Sequence, residues 1–106
     1  MEFSQLIQLS YQELLEILLR EAPKGTWYDI RDWLNEHYSA EEISQMYVVF
    51  YRALDQLIQD GEGDTITADN LRNNMDVFWY AGDLKVTEQA IRQFHKNQEK
   101  SNDVVD

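Results

Sequence analysis

Residues Ser39 to Gly61, SAEEISQMYVVFYRALDQLIQDG, constrain the fold more than any other stretch of the chain. Ile43, Tyr47, Phe50, Leu54, Leu57 and Ile58 recur at steps of three and four, so they share one face of a long amphipathic helix that needs a partner surface. Ser39 is placed to cap its start, Glu42 completes a capping box, Tyr38 can staple across to Ile43, and Gly61 ends it. With 106 residues in all, the chain is one domain, because smaller pieces could not bury cores of their own.

Two shorter helices are spelled out upstream. Ser10, with Glu13 three residues on, opens a helix whose buried stripe is Leu14, Leu15, Leu18 and Leu19, and the single proline, Pro23, closes it. Thr26 with Asp29 opens a second, WYDIRDWLNEHY, which turns Ile30, Trp33, Leu34 and His37 inward. Residues 2 to 9 fit either a short helix or an extended lead-in.

Beyond Gly61 the signals change. Thr65-Ile66-Thr67 and Val77-Phe78-Trp79-Tyr80 are runs of strand formers, and Ala81-Gly82-Asp83 has turn chemistry. With Leu84-Lys85-Val86 as a returning strand they predict a small C-terminal hairpin. Asp69 to Met75 then forms a helical turn capped at Thr67, and Thr87 caps a last helix that turns Ala90, Ile91 and Phe94 inward. The alternative is an all-α five-helix bundle with Asp69 to Ala81 as its fourth helix and Leu71, Met75 and Phe78 facing the core. From about Lys100 the sequence has no packing face, so residues 101–106 are expected to be a disordered tail.

This order of elements resembles a winged helix. YRALDQLIQDGE resembles the end of the recognition helix of PadR-like and related winged-helix regulators, LKVTEQAIRQF resembles their closing wing strand and following helix, and LLREAPKGTWYDIRDWL resembles their first two helices and link. The resemblance implies a mostly α, α+β domain over residues 1–100: a three-helix core followed by the hairpin. The sequence departs from the pattern where Glu62, not an apolar residue, follows Gly61, and where Ile66 to Asp76 is long for a wing connection.

Charge argues against the function the resemblance brings with it. The chain carries 20 acidic and 9 basic residues, a net charge of -11. The start of the long helix, where a winged helix meets the major groove, is Ala40-Glu41-Glu42-Ile43-Ser44-Gln45. Ser44, Gln45 and Tyr47 are the residues that would meet base edges, yet two glutamates precede them and Arg52 is the one basic residue on the helix. Binding of nucleic acid by the monomer is therefore not expected. A field of this sign favours a basic protein partner.

Candidate contact residues follow from that reading. Asp29, Asp32 and Glu36 fall at helical spacing and form an acidic ridge, while Tyr47, Tyr51 and Trp79 are candidate aromatic anchors. Thirteen aromatic residues are more than so small a domain needs in its core, and Tyr28 and Tyr80 are further candidates for the surface. The expectation is a regulatory module that acts by protein contact, as an accessory to or inhibitor of a nucleic-acid-binding enzyme, or by forming a homodimer. The alternative is a winged-helix DNA-binding regulator.

Catalytic signatures are missing: there is no phosphate-binding glycine loop, no GxSxG and no HExxH, and His37 and His95 are the only imidazoles. No enzyme activity and no cofactor are expected. Asp60-Gly61-Glu62-Gly63-Asp64 resembles the start of an EF-hand loop, but Thr65 stands where the loop requires glycine and Leu71 where it requires a bidentate glutamate, so no metal site is expected. Zero cysteines, an acidic start and no apolar run of the roughly 20 residues a membrane span requires point to a soluble, cytoplasmic protein.

Overall fold

Every regular element of the structure, a computed structural model, is a helix. It describes the backbone of residues 2–105 and the side chains of residues 2–98. Among the described residues the order is α1 (Phe3–Leu6), α2 (Tyr11–Glu21), α3 (Trp27–His37), α4 (Ala40–Gln59), α5 (Ile66–Ala81) and α6 (Leu84–Val105), with no strand. Side chains of the expected tail lie outside the described residues. Among the described residues no helix is long and apolar enough to cross a membrane.

The three capped helix starts appear where the sequence marks them. Ser10, Thr26 and Ser39 accept from the backbone N–H of Glu13, Asp29 and Glu42 respectively, and the Asp29 and Glu42 carboxylates accept in return from the cap N–H at 2.8 and 2.9 Å. At its far end α4 closes in a Schellman turn. Gly61 takes the left-handed conformation (φ 78°), its N–H donates to the Ile58 carbonyl, and the Glu62 N–H donates to that of Leu57 at 2.8 Å.

α4 is the centre of the molecule, packed by α2, α5 and α6, while α3 leans on α5. Phe50 is fully buried, stacked on Phe78 at 4.9 Å between ring centroids, with Tyr11 at 6.2 Å. Leu14, Leu34, Ile43, Met46 and Leu71 complete the fully buried set of large apolar side chains. Burying each contributes about 1.5–3 kcal/mol relative to exposure.

The C-terminal half corrects the expected α+β fold. Val77-Phe78-Trp79-Tyr80 continues α5, and Leu84-Lys85-Val86 opens α6, so there is no hairpin and no winged-helix wing among the described residues. The physical reason is burial at helical spacing. Ala68, Leu71, Met75, Phe78 and Ala81 form one stripe buried against the core, and a strand would turn alternate members of it to solvent. The all-helical alternative gave this stripe correctly for Leu71, Met75 and Phe78, although the described residues form six helices and α5 begins three residues before Asp69.

Two helix starts also move. Thr65, not Thr67, caps α5 by accepting from the Ala68 N–H. Asp83, not Thr87, caps α6, its carboxylate accepting from the Lys85 and Val86 N–H groups at 2.9 and 3.2 Å. Thr87 is fully buried within the first turn and donates its hydroxyl to the Asp83 carbonyl. Leu19 and Ile58, expected inside, are exposed at 62% and 52%: the inward face of α2 centres on Leu14 and Leu18, and Ile58 lies in the last turn of α4.

Candidate partner-binding surface

The three candidate anchors come together. Tyr47 and Tyr51, one turn apart on α4, stack at 6.2 Å, and Trp79 of α5 meets Tyr47 at 5.5 Å. α6 closes on the other side, where Phe94 and His95 meet Tyr51 edge-on at 5.8 and 5.6 Å and the Tyr51 hydroxyl shares a hydrogen bond of 2.8 Å with His95 Nε2. Tyr47, Tyr51, Trp79 and Phe94 are half-buried and His95 is exposed, so each ring keeps a wet edge while the cluster joins α4, α5 and α6. Burial, then the neighbouring Tyr51 and the Asp76 carboxylate, push the Tyr47 hydroxyl pKa above its ordinary value, because all three disfavour phenolate.

The acidic ridge of α3 is exposed along its length, but two of its carboxylates are engaged locally. Asp29 turns back to accept from the Thr26 N–H and hydroxyl, and Asp32 pairs with Arg31 at 3.2 Å. Glu36 has no ion pair. His37, expected inside, is exposed; its Nδ1 lies 2.9 Å from the Trp33 carbonyl and its ring 4.9 Å from the Trp33 ring. Among the described residues only two ion pairs form, Arg31–Asp32 and Arg72–Asp69. Most of the negative charge is therefore left without a cationic partner.

A second aromatic cluster is the more open one. Tyr28 and Tyr80 are exposed at 63% and 64%, and both meet Trp27 edge-on, at 5.2 and 5.7 Å. The Arg31 guanidinium sits over Tyr28 at 5.2 Å and over Trp27 at 5.7 Å, and pairs with Asp32 at 3.2 Å. This patch joins the start of α3 to the end of α5. Tyr28 and Tyr80 are suggested by composition alone, but their meeting at Trp27 has no local signal, since Trp27 and Tyr80 belong to different helices.

Ser44 is buried in α4 with its hydroxyl donating to the Glu41 carbonyl at 2.7 Å, so it is not presented to a groove of DNA. In the turn after α4, Asp60 caps the helix and accepts from Gln56, and no group of three or more His, Cys, Asp or Glu side chains converges among the described residues. Comparison of the chain with protein-family models, with curated proteins and with solved structures returns no match.

Proposed function

We propose that the chain is a non-enzymatic module that acts by binding a basic protein partner. The observation that carries this is the patch in which exposed Tyr28 and Tyr80 pack on half-buried Trp27 and Arg31, set in a surface whose described carboxylates are mostly unpaired. Trp, Tyr and Arg are the residue types most often found to dominate binding energy. Rings already packed against one another lose little freedom when a partner covers them. The half-buried Tyr47, Tyr51 and Trp79 cluster extends the aromatic surface across α5, and Asp32 and Glu36 contribute to the field that guides a positively charged surface inward. Proteins that handle nucleic acid carry such surfaces, and an accessory or inhibitory role toward one of them fits the charge.

Affinity capture from the native host, with nuclease treatment, tests the reading by comparing the intact chain with a Tyr28→Ala, Tyr80→Ala variant. Basic proteins held by the first and lost by the second are expected; equal retention by both overturns the proposed patch. Reversing Asp29, Asp32 and Glu36 to lysine should slow association and flatten its salt dependence. A mobility shift on random duplex DNA at low salt would instead favour a nucleic-acid ligand, because even weak DNA binders keep non-specific affinity there.

A further inference from the structure

α2 and α5 both border a furrow whose character changes along its length. At one end a cavity of 400 Å³ is lined by Tyr11, Leu15, Thr67, Asn70, Asn73 and Asn74 among others. At the other end α3 closes in, and a notch of 80 Å³ is walled almost entirely by apolar groups, with Leu18, Leu19, Trp33 and Phe78 among them. Leu15 and Asn74 line both, so the two form one furrow. From Thr67 to Phe78 it runs about 16 Å along α5, at 1.5 Å per helical residue.

The polar end is built in a way the helix itself does not need. Asn70, Asn73 and Asn74 share one side of α5, and asparagine is among the poorer formers of a helix interior. None of the three carboxamides makes a hydrogen bond within the described chain, and none is a buried orphan. Local choices that work against their own element gather at functional sites. A carboxamide presents a donor beside an acceptor, which is the complement of a free peptide group. A helical ligand has spent its backbone groups internally, whereas an extended one offers them at every residue.

The apolar end has room for one aliphatic side chain, with Leu19 exposed at its lip. Glu16 on α2 lies one turn from Leu19 and has no ion pair, and the chain as a whole carries a net charge of -11. We propose that this furrow binds an extended peptide segment of a basic partner: its main chain lies on Asn70, Asn73 and Asn74, one aliphatic side chain enters the notch beside Trp33, and lysine or arginine flanks that anchor. The proposal rests on the reading of the chain as a protein-binding module and names a surface separate from the Tyr28 and Tyr80 patch. About five extended residues span the furrow at 3.3 Å each.

The test is selection of random linear peptides displayed against the intact chain. Winners are then synthesised and titrated against the wild type, an Asn70→Ala, Asn73→Ala, Asn74→Ala variant, a Leu19→Lys variant and a Tyr80→Ala variant. Enriched peptides should carry one aliphatic residue flanked by basic ones. Their affinity should fall roughly tenfold or more on the asparagine and Leu19 variants and on backbone N-methylation of the peptide. The asparagine substitutions remove no internal hydrogen bond, so the variant folds and its circular dichroism and melting verify this. Failure to enrich any peptide over the asparagine variant overturns the proposal, as does binding that survives N-methylation or a winning pattern at helical spacing. Peptides lost on Tyr80→Ala but kept by the asparagine variant sink the furrow and leave the module reading standing.

Discussion

Replacing Asn70, Asn73 and Asn74 together by alanine should make the free protein more stable, and the size of the gain follows from where the three side chains sit. All lie in the interior of α5, beyond its first turn and without an internal hydrogen bond. Asparagine costs up to about 0.7 kcal/mol relative to alanine at such a position, so the three sum to at most about 2 kcal/mol. Asn70 and Asn73 are exposed and Asn74 is half-buried, so little packing is lost to offset this. A net gain of about 1–2 kcal/mol is expected, and each kcal/mol raises the melting temperature of a domain this size by about 4–8 °C. Urea unfolding followed by helical circular dichroism measures it, with an unchanged slope showing that the gain belongs to the folded state. A loss of more than about 1 kcal/mol would refute the reasoning, because it would mean that the carboxamides hold the fold and are not surplus to it.

The remaining predictions concern the frame around these surfaces. Ser39→Ala removes the cap that closes the start of α4 and should cost about 1 kcal/mol, a fall of several degrees in melting temperature. Phe50→Ala leaves a hole between Phe78 and Tyr11 and should cost about 3–5 kcal/mol, while Ile58→Ala in the exposed last turn should stay within about 0.5 kcal/mol in urea titrations. Gly61→Ala meets no atom within 4 Å, so its cost of about 1 kcal/mol should come from the left-handed backbone alone. Tyr38, raised by burial, Glu21 and Glu42, and Tyr47, raised by burial, Tyr51 and Asp76, hold their protons above the ordinary tyrosine value of about 10. Their contribution is full below that value and lost as pH rises through the raised ones, so alkaline unfolding should move to higher pH in a Tyr38→Phe, Tyr47→Phe variant.

The first half of the fold was legible because its helix starts are written locally. Ser10, Thr26 and Ser39 each stand three residues before an acid whose backbone they cap, and the apolar stripe follows at once. The second half hides both signals. Thr65 has Ala68 at the position where a capping box would show an acid, so no local signal marks it over Thr67 as the start of α5. Val77, Phe78, Trp79 and Tyr80 prefer strands in isolation, and the burial of Phe78 on Phe50, in one helical stripe with Ala68, Leu71, Met75 and Ala81, decides for a helix. Asp83 in a turn before Leu84 reads equally as a hairpin corner and as a helix cap; its carboxylate position settles which. The surfaces were legible only as ingredients. Tyr47, Tyr51 and Trp79 could be named from the chain, but which aromatic residues stay exposed depends on α3 reaching the end of α5. The asparagine furrow needs α2 beside α5, which no stretch of sequence states.

The scarcity of ion pairs has an effect even when no partner is present. With -11 net charge and two pairs among the described residues, the folded chain pushes against itself, and mobile cations in solution relieve that pressure. Sodium chloride should therefore raise the melting point of the isolated molecule. The same ions would shield the attraction toward the proposed basic partner, so conditions that harden the free protein are those in which the proposed complex would come apart.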